Sequence, residues 1–238
     1  MSTKTAFITG GTSGIGKATA ELLHARGWRV MVTGVTHVGD ADLPDGVRAV
    51  RADLASLSDI DAAAEQAREH LGSIGLLFLN AAAFRSGPFE STSEEDFDVV
   101  FDVNVKGSFF TLQRTLPLLG EGSSVVFTVG AGEGTGAAMM AAKNSLLPLM
   151  RSLALELAPR GIRVNAVSPG VIDTPVYSRM GMAPEALAAW GAEVPLGRVG
   201  TTTDVAEAVA YLASDAAGYV TGEDLVVSGG MGVHPRTA

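Results

Sequence analysis

The sequence contains no cysteine, which excludes disulfides, thiolate nucleophiles and thiolate metal ligands. No metal site is expected. Aromatics are scarce, with two Trp and three Tyr, so few phenols are available as acids. Positive charge is in deficit: 17 Lys and Arg against 26 Asp and Glu leave a formal charge of −9. An acidic surface repels a phosphate backbone, so nucleic acid is not an expected partner. Long apolar runs are missing as well. The first, Ala6-Phe7-Ile8, stops at Thr9-Gly10, too short for a secretory core or a membrane span. No membrane association is expected, and a cytoplasmic location is.

What is present is a chain of 238 residues that is 47% hydrophobic, enough for one sizeable core. Short apolar, β-branched runs occur at Thr5–Thr9, Arg29–Thr33, Val47–Ala52, Leu76–Leu79, Ser124–Val129, Arg163–Ser168 and Leu225–Val227. Amphipathic stretches such as Gly16–Arg26 and Ile60–Leu71 lie between them. Strands alternating with helices imply right-handed βαβ units. Near-continuous apolar strands imply a sheet covered on both faces. The expected fold is α/β: a Rossmann-type, doubly wound, seven-stranded parallel sheet with helices on both faces, in one domain spanning residues 1–238. Helix starts are predicted at Thr92 with Glu95 and at Thr201 with Asp204, and a helix end just before Gly161. Tyr211 falls in a late helix and is expected in the core.

The first strand runs into Thr9-Gly10-Gly11-Thr12-Ser13-Gly14-Ile15-Gly16 and then a helix. Glycines let a backbone approach an anion closely, and a helix N-terminus offers free N–H groups and a positive dipole end. The spacing differs from the G-x-G-x-x-G dinucleotide fingerprint. It resembles the nucleotide turn of the short-chain dehydrogenase/reductase family. Further segments match that family in order: Asp53, Asn80-Ala81-Ala82, Asn104-Val105-Lys106-Gly107, Asn165-Ala166-Val167-Ser168-Pro169-Gly170, Tyr219-Val220-Thr221-Gly222 and Ser228-Gly229-Gly230. The resemblance implies an NAD(P)-binding oxidoreductase. It implies that Gly10, Thr12, Ser13, Gly14, Ile15 and Gly16 hold the pyrophosphate, with Asp53 and Leu54 at the adenine. It also places Asn80, Ala81, Ala82, Lys143, Pro169, Gly170, Ile172 and Thr174 along the rest of the cofactor. Choice between NAD and NADP is set just after strand two. Thr33-Gly34-Val35-Thr36-His37 carries neither an acid nor an arginine. Gly34 does not repel a 2′-phosphate, and Lys17 or His37 offers a cation, which favours NADP slightly.

The same resemblance implies a proton relay of tyrosine, lysine four residues later, serine after strand five, and asparagine. A tyrosine titrating near pH 10 needs such a cation to act at neutral pH. Here the lysine is Lys143 and the asparagine is Asn104, but Met139 stands four residues before Lys143. A thioether has no proton to give. No serine stands at Val129 or Gly130, and Thr128 is the adjacent hydroxyl, expected to point elsewhere by strand alternation. Ordinary carbonyl reduction is therefore expected to be weak or lost. Substitutes to consider are Tyr177, Glu133 and Thr128. The substrate side is expected to include Phe84, Met139 and Tyr177, with Met180, Met182 and Trp190 nearby, and a variable loop at about 174–195. That lining suits a small apolar or amphipathic molecule. Two other readings share the fold: a non-redox cyclase, isomerase or dehydratase, and a non-catalytic dinucleotide-binding or partner subunit. A homotetramer or homodimer is carried over from the family.

Overall fold

Seven parallel strands form one sheet in the order β3-β2-β1-β4-β5-β6-β7 in the computed structural model, which describes residues 4–36, 38–39, 42–85, 87–130, 136–179 and 181–231. The strands are β1 Thr5–Thr9, β2 Arg29–Gly34, β3 Arg48–Arg51, β4 Leu76–Leu79, β5 Ser124–Thr128, β6 Arg163–Pro169 and β7 Asp224–Val227. Each lies within two residues of the run that predicts it. β1, β4 and β5 are buried at every position, as a sheet covered on both faces requires.

The helices are α1 Gly14–Ala25, α2 Leu57–Leu71, α3 Glu94–Phe101, α4 Ser108–Thr115, α5 Ala137–Leu157, α6 Pro175–Arg179, α7 Pro184–Glu193 and α8 Thr202–Leu212. Alternating strand side chains divide the core in two. Phe7, Leu77, Val125 and Phe127 pack with Ile60, Leu112, Leu146 and Met150 of α2, α4 and α5. Ile8, Val32, Phe78 and Val126 pack with Ala20, Leu23, Val205 and Val209 of α1 and α8. The reversal of strand order at β1 and β4 opens a crevice at the carboxyl ends of the strands, where such sheets bind ligands.

Three sequence expectations need correction. The helix predicted from Thr92 and Glu95 begins one residue later: Ser93 is the N-cap and accepts from the Asp96 N–H at 3.1 Å. Thr92 instead donates its hydroxyl to the Pro88 carbonyl. Tyr211 is not core but 44% exposed, because it lies on the outer face of α8. The variable loop holds two helices, α6 and α7, that periodicity did not announce. The capping box of Thr201 and Asp204 is present at α8. Gly161 follows the end of the long helix with φ 69°, a left-handed position that glycine accepts at no steric cost. No described helix is long and apolar enough to cross a membrane.

Candidate active site

The glycine turn joins β1 to α1. Gly10 has φ 65° and Gly14 φ 56°. A Cβ on Gly10 would lie 2.8 Å from the Ala81 Cα, and one on Gly16 would lie 2.3 Å from the Gly10 carbonyl oxygen. The turn therefore closes only with bare glycines at these positions. Asn80, leaving β4, holds it in shape: its side-chain amide donates to the Thr9 and Gly10 carbonyls at 3.3 and 3.2 Å. The Asn80 and Ala81 N–H groups both donate to the Thr9 hydroxyl.

The start of α1 differs from that of α2, α3 and α8. Those helices have a Ser or Thr cap and an acid in the first turn. At α1 the Ser13 side chain caps nothing and no acid occupies the first turn. The N–H groups of this turn are left for an anion, with the helix dipole in support. The uncommitted N-terminus and the bare glycine backbone fit a pyrophosphate.

Where the adenosine is expected, Asp53 follows β3 and accepts the Ala55 N–H on Oδ1 at 3.0 Å. Leu54 is buried, and Gly107 packs directly on it. A Cβ at Gly34 would lie 2.5 Å from the Thr12 hydroxyl oxygen, so Thr12 covers the end of β2 and leaves no room for a larger residue. Lys17, one of the two proposed cations, lies 3.6 Å from each of the Glu21 and Asp42 carboxylates. The other, His37, lies outside the described residues.

The end where Asn104 and Lys143 are expected to act is built on a change of helical pitch. Between α3 and α4, Asp102–Gly107 forms a π-helical turn, a widening often found at functional sites. Asn104 sits in it, fully buried. Its amide donates to the Val100 carbonyl at 2.8 Å and to the Ala83 carbonyl at 2.9 Å, tying the widened turn to the chain leaving β4. Its Oδ1 is buried with no partner among the described residues, which costs free energy unless something fills that place.

Lys143 and Met139 lie one turn apart on α5, and both are buried. Lys143 donates its ammonium to the Thr128 carbonyl at 3.1 Å. Burial pushes its pKa down to about 8, since desolvation disfavours the charged form. Met139 packs with Val100 and Ala142, and its sulfur lies 3.9 Å from the Asn104 amide nitrogen. The Thr128 hydroxyl, expected to face away from the site, donates to Asn80 Oδ1 at 3.2 Å. Strand alternation sets it on the face of Val126, away from α5, and the Thr128–Asn80 pair is a contact no sequence signal announced.

Of the residues expected on the substrate side, Phe84 is 39% exposed. Tyr177 of α6 meets Trp190 of α7 edge to face at 6.0 Å. Burial pushes the Tyr177 phenol up, so it keeps its proton at neutral pH. A cavity of about 110 Å³ between the start of α3 and the start of α5 is lined by Arg85, Thr92, Asp96 and Gly136, with Arg85 paired to Asp96 at 3.2 Å. Met182 is half-buried and donates its N–H to the Tyr177 carbonyl at 3.0 Å; Glu133 and Met180 lie outside the described residues. Ala82 and Thr174 are half-buried at the crevice, whereas Pro169 and Ile172 are buried. Gly170 packs against the Ser228 backbone, and Ile15 against the α1 core. No cluster of His, Asp or Glu suited to a metal ion occurs among the described residues.

Comparison with known proteins yields a consistent set of similarities. A sequence-family profile described as enoyl-(acyl carrier protein) reductase matches residues 10–232. The chain is 34% identical over 239 residues to 3-oxoacyl-(acyl-carrier-protein) reductase FabG of Escherichia coli, covering 96% of this chain and 97% of that protein. It is 31% identical to the uncharacterized oxidoreductase YxbG of Bacillus subtilis, covering 97% and 92%. Among solved structures, a short-chain dehydrogenase/reductase from Brucella melitensis superposes with TM-score 0.88 at 33% identity, covering 95% and 96%. A blue fluorescent protein from a metagenomic library, in complex with NADPH, superposes with TM-score 0.85 at 32% identity, covering 95% and 97%.

Proposed function

The chain belongs to the short-chain dehydrogenase/reductase family, and from that premise we propose an NAD(P)-dependent oxidoreductase that works without a tyrosine proton relay. The observation that carries this reading is Met139, buried beside Asn104 one turn before Lys143. At this position the family resemblance calls for a phenol, and a thioether transfers no proton at any pH. Nicotinamide, when bound, supplies or accepts hydride. The chain's own residues then have separable tasks. The glycine turn and the first turn of α1 bind the pyrophosphate. Lys143, fixed on the Thr128 carbonyl, offers its remaining N–H donors to the ribose. Asn104 Oδ1, buried and unpartnered, offers an acceptor for a water molecule. Substrates that need no protein acid in the rate-limiting step, such as iminium ions or activated alkenes, are favoured over plain ketones. The Tyr177–Trp190 pair and the exposed ring of Phe84 suit an apolar or amphipathic molecule. Relatives and neighbours that bind NADPH or are named reductases support the cofactor class.

The test combines binding with turnover. NAD, NADH, NADP and NADPH are titrated against the chain, and ketone, imine and activated-alkene reduction are then assayed in the wild type and in Met139→Tyr. At least one dinucleotide is expected to bind. Ketone reduction is expected to be weak or absent in the wild type and partly restored in the variant, since the serine is still missing. Rapid ketone reduction by the wild type would overturn the reading of Met139. Substrate conversion indifferent to the redox state of the cofactor would replace a redox role with a non-redox one.

A further inference from the structure

We infer that Arg51, the last residue of β3, selects a 2′-phosphorylated dinucleotide by pairing with its 2′-phosphate; the inference rests on the dinucleotide site proposed above. In doubly wound sheets the adenosine 2′ position lies by the end of the second strand, where an acid takes the free hydroxyl or an arginine takes the phosphate. Here that strand ends at Gly34, and Thr12 fills the space a side chain would need. The position can supply neither group. Discrimination must come from a neighbouring element.

Arg51 is placed to do it. Gly34 and Arg51 are register partners in the parallel β2–β3 pair. Neighbouring strands lie about 4.8 Å apart, and paired residues project to the same face. The direction of a Cβ at Gly34, toward Thr12, marks that face as the one bearing the phosphate-binding turn. Core packing agrees: Val50 belongs to the face of α2, while Ala49, two residues before Arg51, belongs to the face of α1. An extended arginine side chain is longer than one strand spacing, so the guanidinium, which lies by Asp59 of α2, can swing to the end of β2.

The local charges point the same way. The Arg51 side chain is two-thirds exposed, and its contact with Asp59 is long, at 3.7 Å. Asp59 has nearer partners. That carboxylate already accepts the Asp53 N–H at 2.9 Å and the Ser56 hydroxyl at 3.1 Å. Lys17 is shared between two carboxylates, and Arg48 is bonded to Gln66 on α2. Arg51 therefore holds a planar, charge-assisted donor pair for a phosphate at small cost to its present contacts.

Calorimetric titration of NADP+ and NAD+ into the wild type, Arg51→Gln, Lys17→Gln and His37→Ala tests this. The wild type is expected to bind NADP+ more tightly than NAD+. Arg51→Gln is expected to weaken NADP+ about tenfold or more, leave NAD+ almost unchanged and reduce the salt dependence of NADP+ binding. The two control variants are expected to retain the wild-type preference. An Arg51→Gln chain with the wild-type ratio of affinities overturns the inference and leaves the dinucleotide site intact, as does loss of the preference in Lys17→Gln or His37→Ala alone. A wild type that prefers NAD+ overturns it too. A wild type that binds no dinucleotide overturns the site itself. Thermal unfolding of Arg51→Gln at the wild-type temperature excludes misfolding as the cause.

Discussion

Among the described residues, Lys143 alone combines burial with a charge. Its ammonium has one hydrogen bond, to the Thr128 carbonyl, and desolvation has lowered its pKa to about 8 from 10.5. The consequence for stability has a definite sign. Below pH 8 both folded and unfolded chains hold the proton, and the folded chain carries the desolvation cost in full. Between pH 8 and 10.5 the folded chain releases the proton first, so stability rises relative to a chain without this group. Urea unfolding of the wild type and Lys143→Met across pH 7 to 11 measures it. The difference between the two is expected to move in favour of the wild type by about 3 kcal/mol, and parallel pH profiles would refute the burial argument. Lys143 and Met139 were both legible as residues, because four-residue spacing on a helix is a local property. The Thr128 carbonyl beneath Lys143 was not, since it arrives from β5.

At the scale of elements, the starts of α8 and α1 contrast. Thr201 accepts the Asp204 N–H at 3.2 Å, and the Asp204 carboxylate accepts the Thr201 N–H at 2.7 Å. Thr201→Ala is expected to cost about 1 kcal/mol in equilibrium unfolding. Ser13 caps nothing. Ser13→Ala is expected to change stability by under about 0.5 kcal/mol while weakening dinucleotide binding; a large loss of stability would show that the hydroxyl serves the helix instead. The α3 start shows how sequence signals mislead by one residue. Thr92 with Glu95 and Ser93 with Asp96 have the same spacing, so local pattern allowed either. The Pro88 carbonyl took the Thr92 hydroxyl, leaving Ser93 as the cap. The helices α6 and α7 were missed because an alanine-rich run such as Glu185–Ala189 has little apolar periodicity.

Across the whole molecule, the two core layers and the crevice at β1 and β4 act together. A ligand that binds only the folded chain stabilises it by mass action, by about 2.7 kcal/mol at one hundred times its Kd. For a chain of this length that corresponds to a rise in Tm of about 5–10 °C. The preferred dinucleotide is expected to produce it in a thermal melt, and the absence of a shift with all four would count against the site. The sequence by itself determined the strands, the alternation that makes the sheet parallel, the glycine turn and the position of Met139 relative to Lys143. Each depends on residues near one another in the chain, where periodicity and backbone sterics act. Only the tertiary structure decided that Thr12 closes the space over Gly34, that Thr128 joins Asn80, that Asn104 keeps an unpartnered oxygen, and that Arg51 stands in register with the end of β2. Those facts arise where distant segments meet, because strand register and side-chain packing between elements have no signature in any one stretch of sequence.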